Sequence, residues 1–430
     1  MTLPSRTAPA SASPVGLGTV GGVALFVTAV VGPGILTLPA AAAATAGPAS
    51  LIALGCLLAM SIPAAFAFVS IHRASQQIAP GADSGIHTYV TQAFGPTAGR
   101  IVGAWFFLGV PIGVPALALI GGSYVSAAVG GGRPVTLVTA WILVAVAVSV
   151  TAAGRHAGGT LSLVLALLLV GLIVGAAIVS VPHWQSDRIT TLAPNGWLAL
   201  LPASLTLMWV LTGWEASANF TAMLREPDRR LARVIGLTLV VVIVLYGCVS
   251  VPELLVLGPY AGHTSAPLAA VLRAAIGAPA SLVAAVLAAV LALANSVAYL
   301  SSLRELGRSF LGASGRRSPR TDTRMAVIVP AAVTVLGLAV ASVVPLDADT
   351  FVRLCAASQI PVYVAALAGG LMLVPKWTKG WWTCLGAASA VSLLLVPAGP
   401  YLVVPLAIAA GVLLVDRIHR IRPRDRTLVE

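Results

Sequence analysis

The first long apolar run of the chain contains Val30-Val31-Gly32-Pro33-Gly34-Ile35-Leu36-Thr37-Leu38-Pro39. Two glycines around a proline remove side-chain packing and a backbone donor, and Pro39 repeats the insult. In a bilayer each unsatisfied backbone group costs several kcal/mol, so chain released from helical bonds must line a cavity or meet a ligand. A simple proline kink is the alternative. A second stretch decides between them: Trp209-Val210-Leu211-Thr212-Gly213-Trp214-Glu215-Ala216-Ser217 places a glycine between two tryptophans and a glutamate after it, in mid-span. Gly32 and Gly213 are 181 residues apart, and one such break opens each of two successive sets of five spans. That spacing is expected of an inverted repeat whose binding site lies where the repeats meet.

The rest of the chain fits a bilayer. Hydrophobic residues make up 58% of 430 positions, charged residues 9%, and mean hydropathy is +0.99. A soluble domain carries about 25% charged residues, so this chain could not cover a surface facing water. Apolar runs long enough for a core of ~30 Å recur from end to end. Twelve spans are expected, near residues 17–45, 47–71, 99–129, 135–151, 159–181, 197–221, 231–251, 281–303, 325–344, 350–374, 380–395 and 401–415. The segment 266–276 is too short to span and reads as an amphipathic loop helix.

The predicted fold is therefore an all-α membrane protein of about twelve transmembrane helices. It is read as a five-plus-five inverted repeat with broken helices 1 and 6, plus two C-terminal helices. The parts are a disordered tail at 1–14, a first repeat within 15–182, an inverted repeat within 197–375, two further helices within 380–416, and a basic cytoplasmic tail at 417–430.

The net charge of +12 does not indicate a nucleic-acid partner, because Lys and Arg lie between apolar runs and not along one stripe. With the N-terminus in the cytoplasm, 21 of 25 basic residues fall on the inner side. Only Arg133, Arg188 and Arg273 fall outside, and Arg353 lies within a span. This bias places both termini in the cytoplasm. The basic run Arg417–Arg426 can also meet anionic lipid. Four cysteines without paired spacing, and six histidines in loops, tails or span ends, indicate neither a disulfide framework nor a metal site. No cofactor is expected.

Glu215 is the one acidic residue placed well inside a span; the other twelve fall in loops, tails or span ends. A carboxylate at mid-depth costs at least ~2.5–3.5 kcal/mol, so it should face the bundle and be protonated or paired. Two roles stay open for it: a neutral group bonded to unwound backbone, or a switch linked to protons. Arg353 near Asp347 and Asp349 reads as an outer-end ion pair.

These residues resemble the amino acid–polyamine–organocation (APC) superfamily of permeases. Gly32-Pro33-Gly34-Ile35-Leu36, Leu38-Pro39 and Ala46-Gly47-Pro48 look like its first-helix signature. Pro80-Gly81-Ala82-Asp83-Ser84-Gly85, Tyr89 and Phe94-Gly95 resemble its second. Gly213-Trp214-Glu215 followed by Arg225-Glu226-Pro227-Asp228-Arg229 resembles its third. Within the superfamily, Trp105-Phe106-Phe107-Leu108-Gly109-Val110-Pro111-Ile112-Gly113-Val114-Pro115 and the stretch Met208–Arg233 look most like the bacterial exporters of methionine and branched-chain amino acids.

The resemblance implies a site. A substrate carboxylate would meet amides of Gly34, Ile35 and Leu36 beside Gly32, where a half-helix N-terminus is positive. The ammonium would meet carbonyls of Ala29, Val30, Leu211, Thr212 and Gly213. Trp209 matches an occluding aromatic of antiporters in the superfamily, or else simply packs; Trp214 borders the same break, and Glu215 matches a glutamate of the same helix. Relatives often carry Ser or Thr where this chain has Pro33, which removes a donor and a hydroxyl. A pocket poor in carboxylates favours neutral, apolar amino acids over cationic ones. Asn295, Ser296, Ser301 and Ser302 offer oxygens to a sodium ion, although helical Ser more often bonds its own backbone. The expected activity is proton-coupled export across a bacterial inner membrane by alternating access. Uptake by the same fold is the alternative. A membrane enzyme would cluster catalytic groups at mid-depth, and a sensor would carry a soluble domain; neither pattern is in the sequence.

Overall fold

In the computed structural model, residues 18–80, 85–154, 159–189, 191–216, 224, 227–312 and 319–421 are described. The expected tail at 1–14, the signature residues 81–84, Arg225 and Glu226, and the end of the basic tail from 422 lie outside them.

Helix α1 (Thr19–Val30) stops where Gly32-Pro33 withdraws a donor and an i−4 contact, and the chain resumes after a 3₁₀ turn, Pro33–Leu36, as α2 (Leu38–Ala46). The next helices are α3 (Ser50–Ile78), the short α4 (Ile86–Phe94), α5 (Pro96–Val129), α6 (Gly132–Ala152) and α7 (Gly159–Ser180). The sixth span begins as α8 (Leu200–Leu207) and dissolves into 3₁₀ turns at Met208–Leu211 and Trp214–Ala216. Then come α9 (Pro227–Pro252), a π-turn at Glu253–Leu257, a 3₁₀ turn at Gly258–His263 and the loop helix α10 (Pro267–Ile276). The chain finishes with α11 (Ala278–Gly312), α12 (Pro319–Val343), α13 (Ala348–Leu373), α14 (Lys379–Leu393) and α15 (Val403–Ile421).

Among the described residues, nine helical segments are long and apolar enough to cross a membrane. The difference from twelve has three sources. The first and sixth spans are interrupted, so α1 and α8 fall short of spanning length on their own. The third source is the 40-residue segment Lys379–Ile418, which holds both spans expected at 380–395 and 401–415, parted by a 3₁₀ turn at Gly399–Leu402. The segment at 266–276 is a helix of ten residues, too short to span, as read.

Helix α5 is the axis. Its most apolar window is 72% buried, against 11% for Lys379–Ile418, so the last two helices form a rim against lipid. Leu167, Leu336, Leu393 and Leu406 point outward as an apolar belt. Helices α6, α11, α12 and α13 all pack on α5, which lets it do so by presenting small residues. The tightest approach is at Gly122, where an added Cβ would lie 2.3 Å from the Thr136 carbonyl oxygen of α6. Because that neighbour is backbone, it cannot turn away. Gly122→Val is expected to cost about 1–3 kcal/mol by overpacking, read as a lower unfolding temperature of the detergent-solubilised chain. Gly171→Val, where nothing lies within 4 Å, should leave that temperature unchanged.

Candidate functional site

The first break is a short, self-bonded turn. Ile35 N–H reaches Gly32 O at 3.2 Å and Thr37 N–H reaches Gly34 O at 3.1 Å, so part of the freed backbone is satisfied within the turn. The carbonyl of Leu36 accepts a hydrogen bond of 2.6 Å from the Tyr124 hydroxyl of α5. Tyr124 also accepts from Leu268 N–H of α10 at 3.2 Å. One buried hydroxyl thus ties the end of the first break to the loop helix.

The second break turns on Gly213, whose φ of 96° lies in the left-handed region that favours glycine. Thr212 bonds back to Trp209 O through its amide at 3.2 Å and its hydroxyl at 2.8 Å. The Glu215 carboxylate oxygen Oε2 accepts from Gly213 N–H at 2.8 Å. The same oxygen accepts a hydrogen bond from the Tyr363 hydroxyl of α13. Tyr363 is in turn held edge-on by Phe68, with ring centroids 5.4 Å apart. Glu215 therefore bonds unwound backbone, and a phenol from another helix holds it there.

The two breaks meet through Trp209. An added Cβ at Gly34 would lie 3.1 Å from Trp209 Cε3 and 2.9 Å from Leu38 Cδ1. Across the indole, Gly113 of α5 presents its own Cα to Trp209 and to Cys355. Trp209 is packed among helices, not turned to lipid. Val30, Ile35, Leu36, Leu211 and Trp214 are all buried around this contact. Ala29 lies in the last turn of α1, one residue before Val30. Three buried polar atoms here have no hydrogen-bond partner among the described residues: Thr37 Oγ1, Trp209 Nε1 and Trp214 Nε1. All three are candidates for a polar ligand.

Of the residues read as sodium oxygens, Asn295 is brought to the first break, with Oδ1 3.6 Å from where a Cβ on Gly32 would sit. Its amide nitrogen bonds Leu291 O at 3.0 Å. Ser296 is buried and bonds Ala292 O at 2.7 Å. Ser301 is buried with its hydroxyl unpartnered among the described residues. Ser302 is exposed and bonds Tyr299 O at 2.8 Å, apart from the others.

Above the breaks, α2, α5, the 258–263 turn and the start of α13 enclose a cavity of about 570 Å³, lined among others by Thr37, Ala41, Ser123, Arg133, His263 and Asp349. Arg353 pairs with Asp349 at 2.7 Å. The pair takes in Thr206 of α8, whose hydroxyl donates to Asp349 Oδ1 at 2.7 Å and accepts from Arg353 Nε at 3.1 Å.

The family model for amino acid permeases matches residues 17–415 of this chain. The chain belongs to that family. Amino acid permeases are membrane transporters, and the multi-pass helical fold above is of that kind. The chain is 29% identical over 407 residues to YecA, an uncharacterised amino acid permease of Bacillus subtilis, covering 91% of this chain and 92% of that one. It is 31% identical over 240 residues to YjeH, the L-methionine/branched-chain amino acid exporter of Escherichia coli, a match spanning about half of each chain, 54%. Among solved structures, MhsT in complex with L-phenylalanine shares the fold with a TM-score of 0.52 at 17% identity, over 88% of this chain and 98% of that one.

Two groups near these elements were not singled out in the sequence. Tyr363 had a local signal: Cys355, Gln359 and Tyr363 recur every four residues on α13 and share a face. Glu253 was grouped with the span ends. In the structure it is 1% exposed, and the span carries through it as a π-turn.

Proposed function

We propose that this permease is a secondary transporter that exports neutral apolar amino acids, methionine and the branched-chain ones first, by alternating access coupled to protons. The observation that carries the reading is the contact of the two breaks at Gly34 and Trp209, with Glu215 bonded to the second break by its own backbone and by Tyr363. A substrate lying along that contact would set its carboxylate at the Gly34–Leu36 turn and its ammonium toward the carbonyls of Ala29, Val30 and Leu211–Gly213. The surroundings supply aliphatic and aromatic side chains and no described carboxylate besides Glu215 at the breaks, which fits an uncharged side chain. The likeness to the methionine and branched-chain exporter supports the same substrate class. The bias of Lys and Arg supports cytoplasmic termini in a bacterial inner membrane, and on that orientation the cavity bordered by Asp349 opens outward. The two interrupted spans fit an inverted repeat in which helices 1 to 5 and 6 to 10 exchange roles as access alternates. Asn295 Oδ1 beside Gly32 makes sodium the competing choice of coupling ion.

Counterflow in proteoliposomes with a panel of labelled amino acids tests the substrate class. Methionine, leucine, isoleucine or valine should exchange, and arginine, lysine and putrescine should not. Strong arginine exchange with no response to methionine would overturn it.

A further inference from the structure

We propose that Glu253 is a second proton-binding carboxyl of the transport cycle, loaded when the loop helix α10 seats on the bundle and open to water when that helix lifts. The proposal rests on the transport reading above. Glu253 opens the π-turn Glu253–Leu257, through which the chain leaves α9 for the loop. Single π-turns of this kind are frequent at functional sites. Its side chain is 1% exposed, and neither carboxyl oxygen has a hydrogen-bond partner among the described residues.

The elements packed against the π-turn bring charged groups, but none of them pairs with Glu253. Helix α2 carries no titratable residue in Leu38–Ala46. The turn Ser186–Arg188 brings Asp187 and Arg188; the guanidinium of Arg188 bonds the Val256 carbonyl and the Gln185 side chain. The turn Gly258–His263 brings Tyr260 and His263, both exposed. Helix α10 brings Arg273, which bonds Ala127 O at 2.6 Å and Ser281. Helix α9 itself brings Tyr246 and Cys248, one to two turns back. The remaining group is Tyr124 of α5, within electrostatic reach of Glu253 and bonded at once to Leu36 O and Leu268 N–H. Buried and unpartnered, the carboxyl has nothing to hold a charge, so with α10 seated the group carries a proton.

Its place gives that proton a consequence. Tyr124 spans from the end of the helix 1 break to α10, and the π-turn packs on both α2 and α10. Lifting α10 breaks the Leu268 bond and uncovers the π-turn, letting Glu253 give its proton to outer water. Seating α10 takes one up. Linkage makes this reciprocal, so outer acidity should favour the seated state by as much as seating favours the proton.

Infrared difference spectra of the full-length protein in perfused membrane films, taken between acidic and alkaline buffer, test this without any need for transport. A carboxylic C=O band separate from that of Glu215 is expected in the wild type, lost in Glu253→Gln, kept in Glu215→Gln and shifted but present in Glu253→Asp. In proteoliposomes, Glu253→Gln should still exchange substrate but lose the dependence of exchange on outer pH. A spectrum unchanged by Glu253→Gln, or an unaltered pH profile, would overturn the proposal. Absence of amino-acid exchange by the wild type would remove the transport reading instead, leaving the band to report the proton on Glu253. Should the Gln variant be misfolded in detergent, Glu253→Asp carries both readouts.

Discussion

Glu215→Gln is expected to exchange substrate for substrate at near wild-type rate and to lose accumulation driven by a pH gradient. Both hydrogen bonds that fix the carboxyl land on one oxygen, from Gly213 N–H and from the Tyr363 hydroxyl. A glutamine carbonyl can accept both, so the break keeps its shape and only the titrating proton is removed. One pH unit corresponds to about 1.4 kcal/mol, or about tenfold accumulation for each coupled proton. The wild type should therefore concentrate substrate about tenfold per unit of gradient, and the variant about onefold. Measurement is by labelled methionine uptake into proteoliposomes with and without an imposed gradient. Retained pH-driven accumulation in the Gln variant would leave Glu215 a structural group and move the coupling elsewhere.

Replacing Gly34 by Leu should remove substrate binding while the protein still inserts and stays monodisperse. The first atom added already lies 2.9 Å from Leu38 Cδ1 and 3.1 Å from Trp209 Cε3. Trp209 cannot retreat, because Gly113 and Cys355 close its far side. Relief of the overlap costs about 1–3 kcal/mol, tolerable for a multi-pass helical bundle, but the extra atoms occupy the place proposed for the carboxylate. Gly34→Ala should fall between the two. Ligand-induced thermal stabilisation in detergent reports the binding, and wild-type affinity in the Leu variant would remove the first break from the site.

Much of this was legible in order of residues. Gly32-Pro33-Gly34 and the glycine at 213 ahead of a mid-span glutamate marked both breaks and their spacing, whereas Pro111 and Pro115 leave α5 unbroken. Glu215 stood out because nothing else acidic lay in mid-span. The pairing of Arg353 with an aspartate followed from a spacing of four on one helix, Asp349 being the partner. Partners distant in sequence were not legible: Tyr363 lies 148 residues from Glu215, and nothing in either segment names the other. The role of Thr206 in the Arg353 pair was hidden for the same reason. Helix ends were misjudged where hydropathy stops before the helix does. α3 runs to Ile78 and α11 to Gly312, past their apolar cores, because polar residues at a membrane surface still hold helical bonds. Glu253 fell among the acidic residues of loops, tails and span ends, yet it is buried with Leu254 and Val256 in the π-turn.

Both sides of the second break are fastened to one helix. On α8, Thr206 bonds the Asp349–Arg353 pair of α13; beyond Gly213, Glu215 is held by Tyr363 of the same helix. Arg353 and Tyr363 are ten residues apart, about 15 Å along α13 at 1.5 Å per residue. α13 thus acts as a splint across a fracture. The two fragments of the sixth span cannot swing independently while both fastenings hold, and a tilt of the splint turns them together. Rocking of α13 would then alter the approach to the Gly34–Trp209 contact from its two ends in opposite senses, so that one side narrows as the other widens.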